Sequence, residues 1–165
     1  LTLGKEKWEA GWAIAHDVHE MAAPMMNRAM ELATEDSNAF DRVMEGYAMP
    51  KNSDEEKDVR SKAIRTATLN AAEVPFETAR LALGLLEALP QLARDGNANA
   101  VTDVGVAGLL ASAAAKGALF NVDINLAGLP DDMAASLKTQ SQIVGERTRI
   151  ASRAVMDEVR ARMTG

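Results

Sequence analysis

The sequence contains no cysteine. Disulfides, thiolate metal sites and a cysteine nucleophile are therefore excluded, and the composition fits a reducing, cytoplasmic setting. Aromatic residues make up only 4% of the 165 residues, while 47% are hydrophobic. A core built mainly from Ala, Leu, Val and Met suits close helix packing better than a β-sandwich. Basic charge is also short. Eighteen Lys and Arg against 24 Asp and Glu leave a formal charge of −6, which gives no electrostatic footprint for nucleic acid. No uninterrupted apolar run approaches the roughly 20 residues that span a bilayer, so no membrane partner is expected. P-loop, Rossmann glycine fingerprint and G-x-S-x-G elbow are all missing. So are alternating strand patterns, internal repeats and low-complexity tracts.

What is present is helical periodicity. Trp8, Trp12, Ala15, Val18, Ala22, Met25, Ala29 and Leu32 recur in steps of three and four, the stripe of a long helix. Phe40, Val43, Met44 and Tyr47 continue that spacing as a second segment. Ser53 followed by Glu56 reads as a capping box that opens the next helix. Its stripe runs through Ile64, Ala67, Ala71 and Val74, then Ala79, Leu83, Leu86 and Leu89. Pro24, Pro75 and Pro90 each fall inside a stripe and should kink or divide it. Arg94-Asp95-Gly96 reads as a helix end with Gly96 in the left-handed position. From Ala100 to Ala127 small residues dominate. Several glycines there, each costing a helix about 1 kcal/mol against Ala, imply that another backbone or a ligand comes close. Gly128-Leu129-Pro130 stops that helix. Asp131 and Asp132 open a last, heavily charged one. The expected architecture is all-α: an up-and-down bundle of about five to six long helices, some kinked at proline, forming one domain over residues 1–165.

His16 and His19, spaced i, i+3, are the only histidines. A helical metal site is conceivable there, but two interface or surface histidines are the simpler reading. Four polar clusters stand out more. Asp36 is an acid on the otherwise apolar stripe of Phe40, Val43 and Met44. Pro50-Lys51-Asn52 is a rigid loop presenting a cation. Gly96 and Asn97 lead through Asn99 to Asp103. Gly117, Asn121 and Asn125 lie at i, i+4 and i+8 on one helix face, and two such amides need partners if buried. Each cluster also has an ordinary structural explanation. Asp36 could be a cap, Lys51 a solvated cation, Asp103 a first-turn acid, and the two Asn satisfied core amides.

Taken in order, the clusters carry a resemblance. Asp36 to Met44 (D-x-x-x-F-x-x-V-M), Pro50 to Lys57 (P-K-N-x-x-E-E-K), Val74-Pro75, Gly96 to Ala107 (G-N-x-N-x-x-x-D-x-G-V-A) and Gly117 to Asn125 (G-A-x-x-N-V-x-I-N) resemble the cyclodeaminase/cyclohydrolase family. Leu1 to Lys5 resembles the segment that follows the family's glycine-rich N-terminal stretch, and that stretch is expected to lie upstream of Leu1. The resemblance covers most of Leu1 to Leu129 and is weak in the last helix. It implies an all-helical homodimer acting on tetrahydrofolate one-carbon adducts. Such an enzyme either closes 5-formimino-tetrahydrofolate to 5,10-methenyl-tetrahydrofolate with loss of ammonia, or interconverts the methenyl and 10-formyl forms with water. The implied partners are a folate substrate and a second copy, with no metal or redox cofactor.

That chemistry needs a carboxylate near a cationic carbon, and proton donors and acceptors beside it. Asp36 and Asp103 are the carboxylate candidates. Lys51 could donate a proton or bind the glutamate tail. Lys5 is a second cation candidate. Asn97, Asn121 and Asn125 are candidates for substrate binding. The folate pocket is expected to collect Lys51, Asp103, Asn121 and Asn125. Two other readings stay open: a non-catalytic helical dimerisation module, and a helical metal-binding protein using His16 and His19.

Overall fold

A computed structural model describes residues 1–164. Among them are four long helices: α1 (Trp12–Ala48), α2 (Asp54–Asp95), α3 (Val101–Leu126) and α4 (Asp131–Thr164). Short 3₁₀ segments at Glu6–Gly11 and Ala98–Ala100 precede α1 and α3. The described residues contain no strand. The expected all-α bundle is present, but with four long helices rather than five or six.

Proline accounts for the difference. The helix α1 runs unbroken through Pro24, and α2 runs unbroken through Pro75 and Pro90. A proline inside a helix costs about 3 kcal/mol or more. Packing offsets that in α2, where Ala72, Pro75, Phe76, Ala79, Leu83, Leu86 and Leu89 are all buried. A second correction concerns Trp8. It has a non-helical backbone (φ −118°, ψ 25°) in the 3₁₀ segment, so the stripe read from Trp8 begins its helix only at Trp12.

The start of α2 follows the capping-box expectation with one adjustment. Ser53 Oγ accepts from the Glu56 amide at 3.2 Å. The Glu56 carboxylate reaches one residue further back and accepts from the Asn52 amide at 2.6 Å. The end of α2 departs from expectation. Gly96 is extended (φ −76°, ψ −170°), not left-handed. It is required for a different reason: a Cβ there would sit 2.5 Å from the Leu92 carbonyl oxygen.

The central element is α2, which packs against each of the other three helices, while α3 also packs on α4. Leu86, Val122 and Val155, from α2, α3 and α4, are fully buried at their junction, each worth about 1.5–3 kcal/mol of apolar burial. The small residues of α3 admit α4. A Cβ on Gly108 would lie 2.7 Å from Val155 Cγ1, and one on Gly105 would lie 3.3 Å from Val159 Cγ1. The close approach expected for this helix is therefore to α4.

Two surfaces remain uncovered. In α1 no residue between Ile14 and Leu32 is buried. On α3, Val106, Leu109, Leu110, Phe120 and Ile124 are exposed. By length and composition Ala98–Leu126 is apolar enough to cross a bilayer, which a search for uninterrupted apolar runs misses. Its neighbours in the bundle bury 44% of its most apolar window.

Candidate functional site

The helices α1 and α3 both stand on α2 but barely meet each other. The result is a groove with α2 as floor and α1 and α3 as walls. It consists of three adjoining cavities of about 450, 450 and 330 Å³. The first two share Ala22, Leu85 and Ala107, and the second two share Ala29, Leu32, Thr78 and Ala114. The middle stretch is lined by Met25, Met26, Leu81, Leu85 and Leu110.

Polar groups lie at the two ends. At one end Asp36 from α1, Val74, Pro75 and Thr78 from α2, and Gly117 and Asn121 from α3 line the 330 Å³ cavity. Residues far apart in the sequence are brought together here. Gly117 has open space where a Cβ would be. The Asn121 amide makes one weak bond to the Gly117 carbonyl at 3.4 Å and is otherwise exposed. At the other end Asn97, Asp103 and His19 line a cavity beside Leu1, Thr2 and Leu3. Asp103 and Asn121 are eighteen residues apart on α3, which puts about 27 Å of helix between them.

The pocket expected to collect Lys51, Asp103, Asn121 and Asn125 is therefore not formed within one chain. Asp36 and Asn121 share a cavity. Asp103 and Asn97 share a different one. Lys51 and Lys5 are exposed and line none of the cavities along the groove. Asn125 is engaged elsewhere: its Nδ2 donates to the Ala71 carbonyl at 2.8 Å. Asn97 is also largely occupied. Its Nδ2 donates to the Leu1 carbonyl at 2.9 Å, its Oδ1 accepts from the Asn99 amide at 3.0 Å, and its own amide donates to Thr2 Oγ1 at 3.0 Å. Trp12 Nε1 donates to the Thr2 carbonyl at 3.1 Å. Together these bonds pin the first residues across the groove's end.

The metal reading lacks ligands. His16 is exposed and sits 3.9 Å from Asp17, while His19 faces the groove. Among the described residues no three His, Asp or Glu side chains gather as a metal site would need.

Sequence reasoning missed an ionic cluster on Arg28. Its guanidinium donates to both oxygens of Glu77 at 2.7 and 2.9 Å, both oxygens of Glu35 at 2.6 and 3.1 Å, and Glu31 at 3.1 Å. These bonds raise the Arg28 pKa, Glu77 contributing most, and hold the Glu77 carboxyl below its usual range. The pairs within α1 were available from spacing. Glu77 was not, because it is 49 residues away.

The chain resembles known proteins over most of its length. The family model described as Formiminotransferase-cyclodeaminase matches residues 1–143. A methenyltetrahydrofolate cyclohydrolase of Methylorubrum extorquens is 36% identical over 131 residues, which cover 79% of this chain and 63% of that protein. The formimidoyltransferase-cyclodeaminase of Gallus gallus is 32% identical over 132 residues, 80% of this chain and 24% of that protein. The chain thus spans less than two thirds of the length of either relative. A crystal structure of formiminotetrahydrofolate cyclodeaminase from Thermotoga maritima shares the fold, with a TM-score of 0.82 and 24% identity over 97% of this chain and 76% of that one.

Proposed function

The chain belongs to the formiminotransferase-cyclodeaminase family, and from that premise we propose that it forms or opens 5,10-methenyl-tetrahydrofolate in the groove between α1 and α3. The observation that carries this reading is the cavity where Asp36, Val74-Pro75, Gly117 and Asn121 meet. Three of the sequence motifs behind the family resemblance contribute to it. The adjoining apolar stretch suits the flat benzoyl part of a folate.

The chemistry sets what Asp36 has to do. In the cyclohydrolase direction, water adds to the cationic methenyl carbon and gives up a proton. The bond from that carbon to N5 then breaks as the hydroxyl proton passes to N5, leaving the formyl group on N10. A carboxylate beside the carbon stabilises the cation and can accept the proton from water. In the cyclodeaminase direction, N10 attacks the formimino carbon and gives its proton to a base, and the tetrahedral centre expels ammonia once its own nitrogen is protonated. The product is the same cation, so the same carboxylate serves both directions. Asn121 offers an amide that can read the pterin edge or orient the water. Neither direction changes an oxidation state, so no redox cofactor is called for. Lys51 and Lys5 lie outside the groove's cavities, so either could meet only the part of the glutamate tail that extends beyond them.

The protein acts as a homodimer in this reading. Met26, Met30 and Phe120 are each 73% exposed, and Ile124 is 71% exposed. Large apolar side chains exposed in this number on α1 and α3 are typical of an interface. A two-fold axis across the middle of the groove would bring the Asp103 end of one copy beside the Asp36–Asn121 end of the other. Asp103 then joins the site from the partner.

The test offers 5-formimino-tetrahydrofolate and 5,10-methenyl-tetrahydrofolate side by side, following the methenyl absorbance. Turnover of either supports the reading and also separates the two activities. If neither turns over, and calorimetry detects no binding of a folate analogue, the reading is wrong.

A further inference from the structure

Pro75 has no amide proton, so the Ala71 carbonyl four residues earlier loses its helical bond. Both residues are buried, and a buried carbonyl without a donor is strongly disfavoured. Asn125 supplies the donor from the neighbouring helix, with Nδ2 2.8 Å from the Ala71 oxygen. A carbonyl can only accept, so the amide nitrogen of Asn125 must face α2. Pro24 is different: it and Glu20, whose carbonyl it deprives, are not buried, and water can serve there.

The position of this bond is informative. Val74 and Pro75 line the 330 Å³ cavity from α2, and Gly117 and Asn121 line it from α3. Asn125 follows Asn121 by four residues on the same face. The bond thus ties α2 to α3 one turn beyond the cavity's end.

We propose that Asn125 is a positioning residue: its amide replaces the one Pro75 lacks, and so holds Asn121 and Gly117 over Val74-Pro75 at the Asp36 end of the groove. The bond substitution stands on geometry alone. The effect on substrate rests on the folate reading above.

Four proteins test it: wild type, Asn125→Ala, Pro75→Ala and the double variant. Alanine in place of Pro75 restores an amide for the Ala71 carbonyl. Asn125→Ala should lower Tm by about 5 °C when Pro75 is present and have little effect in the Pro75→Ala background. Equal losses in both backgrounds would overturn the substitution. If Asn125→Ala alone does not fold, a folded double variant supports the proposal and an unfolded one overturns it.

For positioning, Asn125→Asp removes the donor at constant shape. It should raise KM for the folate substrate roughly tenfold while kcat stays within about twofold. An unchanged KM would make Asn125 merely structural. A wild-type protein inactive on both folates would defeat the functional reading and this kinetic effect with it, while the Tm comparison would still decide the bond.

Discussion

Arg28 on α1 grips Glu77 on α2 through two parallel bonds, Nε at 2.7 Å and Nη2 at 2.9 Å. Such forked pairs add directional hold as well as attraction. The pair matters because between Ile14 and Leu32 no residue of α1 is fully buried. It sits near one end of that shallowly packed span, beside Ala29, and so helps set where the groove wall stands.

The Glu77 carboxyl is held below its usual pKa by Arg28. A depressed carboxylate contributes stability above its unfolded pKa and loses it as pH falls through the folded value. The pair should therefore stabilise at neutral pH and fade in acid. Glu77→Gln should lower Tm at pH 7 and by progressively less in acid, as the wild-type carboxyl becomes protonated. Thermal melts across pH check this. An equal loss at neutral and acid pH would mean that packing, not charge, supports α1.

Asp36 and Asp103 line opposite ends of one groove. In a dimer with shared sites, Asp36→Asn and Asp103→Asn should each lose 10²–10⁴-fold in kcat/KM, the usual range for a proton-transfer group. Mixing the two after dissociation and reassociation should recover about a quarter of wild-type activity, since half the dimers are mixed and each has one intact site. If mixing recovers nothing, each site is built from a single chain.

The apolar faces of α1 and α3 predict self-association. Replacing Phe120, 73% exposed, by Glu should shift sedimentation from dimer to monomer at micromolar concentration while helicity by circular dichroism is retained. Monomeric wild-type protein would remove the interface.

Gly108 meets α4 at the tightest point between those helices. A Cβ there would approach Val155 Cγ1 to 2.7 Å. Gly108→Ala should cost about 1–3 kcal/mol by overpacking, although alanine is the better helix former. Gly117→Ala is the control. Its site is open, so its stability should hold or rise, and any loss should appear in folate binding.

Local signals read from the sequence held where local physics decides. Ser53–Glu56 capping, the acids opening α4 and the shared face of Gly117, Asn121 and Asn125 follow from spacing within one helix. The helix number did not follow, because tertiary burial and a donor from Asn125 outweigh the penalty of Pro75. Gly96 was recognised as necessary but assigned the wrong backbone, since its constraint is the Leu92 carbonyl rather than a positive φ. The candidate site was legible only as separate residues. Asp36 and Asn121 both stand out in the sequence, but their shared cavity depends on how α1 and α3 stand on α2. The same holds for Arg28 and Glu77, which no helical period links.

The most direct test follows the methenyl absorbance of 5,10-methenyl-tetrahydrofolate with wild type and Asp36→Asn in parallel. If the groove beside Asp36 is the site, the two proteins should bind a folate analogue alike, while the variant changes the methenyl signal at least about 100-fold more slowly than wild type. Equal rates would contradict the assignment of the chemistry to that end of the groove.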